Sequence, residues 1–392
     1  MSDWFAEQLD QLRERSLDRH LREISSAQGP LIELAGKRLI NFSSNDYLGL
    51  ANDARLRDAA MTALKEFGVG TGASRLVSGT QSPHVQLEAA LANWKGTEAA
   101  LTFSSGYAAA LGTIPALVTQ GDVVVLDKLC HASLIDGAKL SGAILRVFPH
   151  SDMGKLESHL QWAEREHPGK RVLVVTESVF SMDGDRAPLR EIVELKTHFG
   201  ALLLLDEAHA VGVLGRQGRG LAATEQLNEQ VDVQMGTLSK ALGVTGGYIC
   251  GSRSLIDWLI NRARSFIYST APLPSAAAAA RAAVEFLASR DGETRREQLW
   301  RNIDILHDAL STKPASAILP WIIGDEKAAV EAAATLRAEG FLVPAIRYPS
   351  VAKGSARLRI TVTAAHSEEQ IRALCAVIAQ LRGETQREPI TV

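Results

Sequence analysis

The sequence predicts an α/β protein with a mostly parallel central sheet, helices on both faces, and a smaller α+β domain at its C-terminal end. Three observations carry this. Short runs that are apolar at nearly every position recur between residues 41 and 251, the pattern of strands buried on both faces. The stretches between these runs have helix-compatible sequence, which points to a largely parallel sheet. After Ser275 an alanine-rich stretch favours helix as far as Ala288, and beyond it helices mix with strands such as residues 357–362.

Taken in order, residues 1–22 mix acidic and basic side chains with Leu9, Leu12, Leu17 and Leu21 at roughly helical spacing. This is an amphipathic pattern, not the apolar core of a signal peptide, and residues 1–40 are read as a helical arm. Strands are expected at 99–103, 123–126, 144–148, 172–175, 201–205, 231–235 and 248–250, within a large domain spanning 41–290. A small domain follows over 291–392. No internal repeat or low-complexity linker separates them, so one compact unit is expected.

Composition narrows the function. A chain of 392 residues has room for two cores. With 42 basic and 45 acidic residues it lacks the basic excess of a nucleic-acid scaffold. Cys130, Cys250 and Cys375 are too few and too scattered for a disulfide framework or a zinc signature. No metal site is expected, and a reducing cytoplasm fits best. No uncharged apolar run reaches the ~18 residues of a membrane span, so a soluble protein is expected.

In open parallel sheets ligands collect beyond the carboxyl ends of the strands, and the polar residues of this chain recur there. Ser104-Ser105-Gly106-Tyr107 after 99–103 reads equally well as a phosphate-binding helix start or as a serine cap. Leu202-Leu203-Leu204-Leu205-Asp206-Glu207-Ala208-His209 has two readings. A Walker B box needs a Gly-x4-Gly-Lys-Ser/Thr loop. Gly36-Lys37 and Gly169-Lys170 are each followed by arginine, so an ATPase is excluded. The other reading sets Asp206 beside the pyridine nitrogen of a cofactor ring, where a carboxylate keeps that nitrogen protonated. Lys240, just past 231–235, sits among Gly236, Thr237, Ser239 and Gly243, small and hydroxyl residues that admit a ligand. A partly desolvated amine there is a Schiff-base nucleophile and proton carrier.

His131 after 123–127 and Ser181 after 172–175 occupy equivalent positions, and an imidazole can lie flat on an aromatic cofactor. Asp183-Gly184-Asp185 also spells a simple turn. Gly68-Val69-Gly70-Thr71-Gly72-Ala73 follows a helical run, residues 55–67, where a dinucleotide fingerprint requires a strand. It is not read as one. Arg357 and Arg359 alternate along a strand and share a face. They either grip a carboxylate or lie exposed on an edge strand.

Together Asn41-Phe42-Ser43-Ser44-Asn45-Asp46-Tyr47-Leu48-Gly49-Leu50, Gly72-Ala73-Ser74-Arg75-Leu76-Val77-Ser78-Gly79, and the segments 180–185, 206–215, 237–240 and 356–361 carry a resemblance over nearly the whole chain. The chain resembles the α-oxoamine synthases of the class-II pyridoxal-phosphate-dependent aminotransferase family. The resemblance implies a fold-type I transferase with pyridoxal 5'-phosphate as cofactor, Lys240 as its Schiff-base lysine, Asp206 on the pyridine nitrogen, His209 on the phenolic oxygen and His131 stacked on the ring. Gly106, Tyr107 and Thr237 would hold cofactor or its phosphate, with Ser181 beside the ring. Ser269 and Thr270 would reach the phosphate of a neighbouring subunit, implying a homodimer with shared active sites. Asn45 and Arg359 would hold the amino-acid carboxylate, and Arg22 and Ser350 would lie near the acyl substrate.

The activity so implied joins L-alanine to pimeloyl-CoA or pimeloyl-acyl carrier protein with loss of carbon dioxide, in biotin biosynthesis. Sister activities on glycine with acetyl-CoA or succinyl-CoA stay open, as does a non-catalytic cofactor-binding regulatory module. Glu207 in place of the family's usual aspartate, and Arg347-Tyr348-Pro349-Ser350, depart from its pattern. These leave the cofactor chemistry intact and bear on acyl recognition.

Overall fold

The computed structural model describes residues 3–14, 17–310 and 315–385. Its centre is a sheet of seven strands: β1 (Ala99–Phe103), β2 (Val123–Asp127), β3 (Ile144–Phe148), β4 (Val172–Glu177), β5 (Leu202–Asp206), β6 (Val233–Thr237) and β7 (Gly247–Gly251). Their order across the sheet is β1-β7-β6-β5-β4-β2-β3. Only β7 runs against its neighbours; the other pairings are parallel.

The uninterrupted apolar runs have a direct cause. Successive side chains of a strand point to opposite faces, and both faces are covered. Val123, Val125, Val174, Leu203 and Leu205 enter one core cluster, while Val124, Leu126, Leu173, Val175 and Leu204 enter another. Helices Gly106–Leu117, Ala132–Leu140 and Arg253–Arg262 pack into the second cluster. Ser82–Lys95, Met153–Glu166, Leu189–His198 and Pro274–Ala288 pack into the first.

Several strands end one or two residues beyond the apolar runs. Ladder pairing, not hydrophobicity, sets the ends: Glu177 pairs with Asp206, and Thr237 with Gly247. The first polar residues thereby become the last rungs of their strands.

The segment read as a helical arm is helical over Trp4–Glu14, whereas Leu31–Leu34 and Lys37–Asn41 form an antiparallel hairpin. Ile32, Leu34 and Leu39 alternate inward with the period of a strand. Ala35 and Gly36 both take positive φ, as a tight two-residue hairpin turn requires. Lys37–Asn41 also pairs in parallel with Phe341–Leu342, tying the hairpin to the C-terminal part. There Ile318–Gly324, Ala356–Thr361 and Ala345–Ile346 make a small antiparallel sheet with Ala356–Thr361 in the middle. Among the described residues no helix is long and apolar enough to cross a membrane.

Candidate active site

Four strands end on chemistry. Asp127 closes β2, Glu177 β4, Asp206 β5 and Thr237 β6, all at the sheet's carboxyl edge. Because Glu177 and Asp206 are ladder partners, two buried carboxylates stand side by side. Burial raises Asp206 above the usual carboxylate range against the pull of Lys240. Burial and then the Asp206 charge push Glu177 up to about 8.

Lys240 faces this pair from the return between β6 and β7. The return is closed on itself, with Leu238 N–H donating to Gly246 O at 2.9 Å, Val244 N–H to Leu238 O at 2.9 Å and Gly243 N–H to Lys240 O at 2.8 Å. Thr237 Oγ1 donates to Gly246 O at 2.9 Å and lies 2.7 Å from Ser239 Oγ. At Gly247 a Cβ would stand 2.5 Å from Ser105 O, so glycine lets this return press against the start of helix Gly106–Leu117.

The Lys240 amine is surrounded by protein and opens on one side to a cavity. Desolvation lowers it to about 8, against the opposing pull of Asp206 and Glu177. Its Nζ lies 2.7 Å from His209 Nε2, and His209 Nδ1 lies 2.5 Å from Tyr47 Oη. Burial keeps His209 well below its ordinary range, hence neutral. It lifts Tyr47 to about 12, so the phenol keeps its proton. With Lys240 charged, the ammonium donates to Nε2 and Nδ1–H donates to Tyr47. With Lys240 neutral, Tyr47 donates to Nδ1 and Nε2–H to the amine.

A further layer follows. Arg359 donates through Nη2 to Asn45 Oδ1 at 3.1 Å, through Nη1 to Thr361 Oγ1 at 2.9 Å and through Nε to Ser181 O at 2.6 Å. Arg357 pairs with Asp183. Both arginines are buried on a central strand, so the exposed-edge reading does not hold.

The cavity at Lys240 measures about 240 Å³, and Gly106, Tyr107, His131, Asp206, His209 and Thr237 are on its wall. Ser105 caps helix Gly106–Leu117 by accepting from Ala108 N–H. The N–H groups of the first turn have no partner inside the helix and suit an anion, so the cap and the anion site coexist. His131 begins helix Ala132–Leu140, with Nδ1 accepting from Ser133 N–H at 3.2 Å and its backbone N–H donating to Glu177. Burial and the Lys240 charge lower it, favouring the neutral ring.

Anion-binding amides and hydroxyls at one end, a carboxylate at the other, an amine at the side and an imidazole on the wall suit a flat heteroaromatic ring that bears a phosphate and an aldehyde. Among the described residues no cluster suited to a metal ion occurs.

Asn45, Ser181 and Arg359 stand outside this wall, joined to it through Tyr47, whose Oη is 3.4 Å from Asn45 Oδ1. Ser269 and Thr270 are also off the wall, Thr270 in a bridge with Ser74. Arg22 lines a separate cavity of about 340 Å³ with Ser43, Arg337 and Val343. It also lines a larger cavity, about 840 Å³, with Lys37 and Arg337, away from the amine. Ser350 is exposed, its N–H donating to Arg347 O at 3.0 Å.

Sequence reasoning did not single out Glu177 or Tyr47. Glu177 obeys the strand-end rule that selects Asp206. Tyr47 meets a partner 162 residues away, and nothing local marks it.

Fold and site define a pyridoxal-phosphate enzyme of fold type I. Residues 37–378 match the family model Aminotransferase class I and II, and the chain belongs to that family. A relative from Geobacter sulfurreducens named 8-amino-7-oxononanoate synthase is 46% identical over 98% of this chain and 99% of its own. One of the same name from Anaeromyxobacter dehalogenans is 47% identical over 96% and 95%. Among solved structures, serine palmitoyltransferase from S. paucimobilis with bound PLP–myriocin aldimine superposes with a TM-score of 0.91 at 30% identity, covering 98% of each chain. The 8-amino-7-oxononanoate synthase of Francisella tularensis gives 0.75 at 27% identity, covering 89% of this chain and 99% of that one.

Proposed function

We propose that this chain condenses L-alanine with a pimeloyl thioester, carried on coenzyme A or acyl carrier protein. The products are 8-amino-7-oxononanoate, carbon dioxide and free thiol, a step of biotin biosynthesis in the cytoplasm. The observation that carries the reaction class is the desolvated Lys240 amine, bonded to a neutral histidine and sharing a cavity wall with Asp206. The names of the relatives support the choice of substrates.

When bound, pyridoxal phosphate supplies an electron sink for a carbanion at the amino acid's α carbon. Lys240 removes the proton from that carbon and later returns one, and an amine near 8 is matched to both tasks at neutral pH. The His209–Tyr47 pair reverses its donor direction as Lys240 changes charge, so a partner for the amine is kept in both states. Asp206 would hold the proton of the pyridine nitrogen. Gly106 and Tyr107 N–H groups and Thr237 would hold the phosphate, and His131 would orient the ring.

Arg359, aimed by Asn45 and Ser181, takes the amino-acid carboxylate. The cavity lined by Arg22, Ser43 and Arg337 receives the acyl donor, since Ser43 is two residues from Asn45. Ser269 and Thr270 complete the phosphate site of a second copy in a homodimer. Residues 41–290 form the large domain and 291–392 the small one.

The test is a substrate panel on purified holoenzyme, following carbon dioxide and free thiol. Turnover of L-alanine with pimeloyl-CoA or pimeloyl-acyl carrier protein, and not of glycine with acetyl-CoA or succinyl-CoA, is expected. Preference for a glycine pair would replace this reading with a sister activity.

A further inference from the structure

Asp127, His150 and Asp185 form a cluster at the carboxyl edge of the sheet that the reaction above does not use. His150 follows β3 in a tight turn. Ser151 N–H donates to Asp127 Oδ2 at 2.9 Å, and Ser151 adopts φ 56, a conformation that non-glycine residues seldom take. The imidazole is set between two carboxylates, with Nδ1 3.1 Å from Asp127 Oδ1 and Nε2 2.7 Å from Asp185 Oδ2. Its ring stands edge-on to Phe180 at 4.3 Å between centroids. Ionised carboxylates only accept hydrogen bonds, so both ring nitrogens must donate and the ring is an imidazolium. Burial opposes that charge, yet the two carboxylates prevail and lift His150 to about 10.

Asp185 belongs to the turn 180–186, which the small sheet clasps from the other side. Gly184 sits at φ 73, where a Cβ would stand 2.2 Å from Ile318 O, and its carbonyl accepts from Ser316 Oγ at 2.8 Å. Arg357 pairs with Asp183, and Arg359 Nε donates to Ser181 O at 2.6 Å. The turn is therefore gripped by His150 from the large sheet and by two arginines from the small one.

We propose that His150 is a positioning residue for the amino-acid carboxylate: as the cationic link between Asp127 and Asp185 it fixes the turn whose Ser181 carbonyl aims Arg359. This rests on the reading of Arg359 given above.

The test uses His150→Gln, Asp185→Asn and the double variant as holoenzymes, with KM and kcat for each substrate and the cofactor absorbance. His150→Gln should raise KM for L-alanine roughly tenfold, the scale of one charge-assisted contact. KM for the acyl donor and the cofactor absorbance should stay as in the parent protein. Asp185→Asn should move KM the same way, and the double variant should be no worse than the worse single one. Unchanged KM for L-alanine, or additive losses in the double variant, would overturn the proposal.

A second measurement, histidine-ring NMR of the unsubstituted holoenzyme, does not depend on the variants folding or on the substrate. His150 should remain doubly protonated well above neutral pH. Ordinary titration near 6.5 would overturn the link itself, whereas absent turnover with an intact imidazolium would point to the functional reading as the error.

Discussion

Lys240 is held where its charge is costly, so the cofactor-free protein carries a stability penalty that substitution with methionine should expose. The amine falls from an ordinary 10.5 to about 8, a gap of about two and a half pH units. At about 1.4 kcal/mol per unit this is an upper bound of about 3 kcal/mol at neutral pH, and water in the adjoining cavity trims it to about 2 kcal/mol. Between pH 8 and 10.5 the unfolded chain keeps a proton that the folded chain has lost. The stability of the parent protein therefore rises with pH across that window relative to Lys240→Met. Methionine also removes the 2.7 Å contact with His209, a pH-independent loss of about 1 kcal/mol. Denaturant unfolding of both apo proteins should find the variant more stable by about 1 kcal/mol near pH 7 and less stable by about 1 kcal/mol near pH 11. A stability difference that does not change with pH would refute the argument, because the His209 term alone cannot produce a slope.

Tyr47→Phe leaves His209 Nδ1 buried without its partner, so it should cost about 1–3 kcal/mol in thermal unfolding and lower kcat more than it raises KM for L-alanine. Gly184→Ala places a Cβ 2.2 Å from Ile318 O at positive φ; a drop of several degrees in Tm is expected, and an unchanged Tm would show that the turn yields freely. Lys95 and Glu207 form a fully buried ion pair. Lys95→Met should therefore cost about 3–5 kcal/mol by denaturant unfolding, and Lys95→Met with Glu207→Gln markedly less. Arg337 lines both cavities beside Arg22, so Arg337→Ala should raise KM for the acyl donor severalfold and leave KM for L-alanine in place.

The sheet was legible because its strands, apart from the edge strand Ile144–Phe148, are buried on both faces, and an uninterrupted apolar run is a local signal. Asp206 and Lys240 were legible for a related reason: strand ends are where such sheets gather ligands, so position along the chain predicts position in the site. The hairpin 31–41 escaped notice because its strands are four and five residues long, too short for a two-residue period to stand out. Tyr47 and the arrangement of Arg357 and Arg359 depend on contacts made only after distant segments meet. Arg357 and Asp183 lie 174 residues apart, and Arg359 and Asn45 lie 314 apart.

The one antiparallel strand of the seven-stranded sheet, β7, decides how the Lys240 amine is carried. A parallel crossover would send the chain away from the carboxyl edge after β6 and bring it back only after a long excursion. Here the chain doubles back within ten residues of Thr237 and pairs at once, Thr237 against Gly247. The loop bearing Lys240 is short, so its closure entropy is small and it can form from local contacts early in folding. Arg359, by contrast, arrives on Ala356–Thr361, a strand far along the chain. Amine and arginine therefore have separate anchors, the one in the large sheet and the other in the small, and a change in the packing of the small sheet can shift the guanidinium while the lysine stays where the large one puts it.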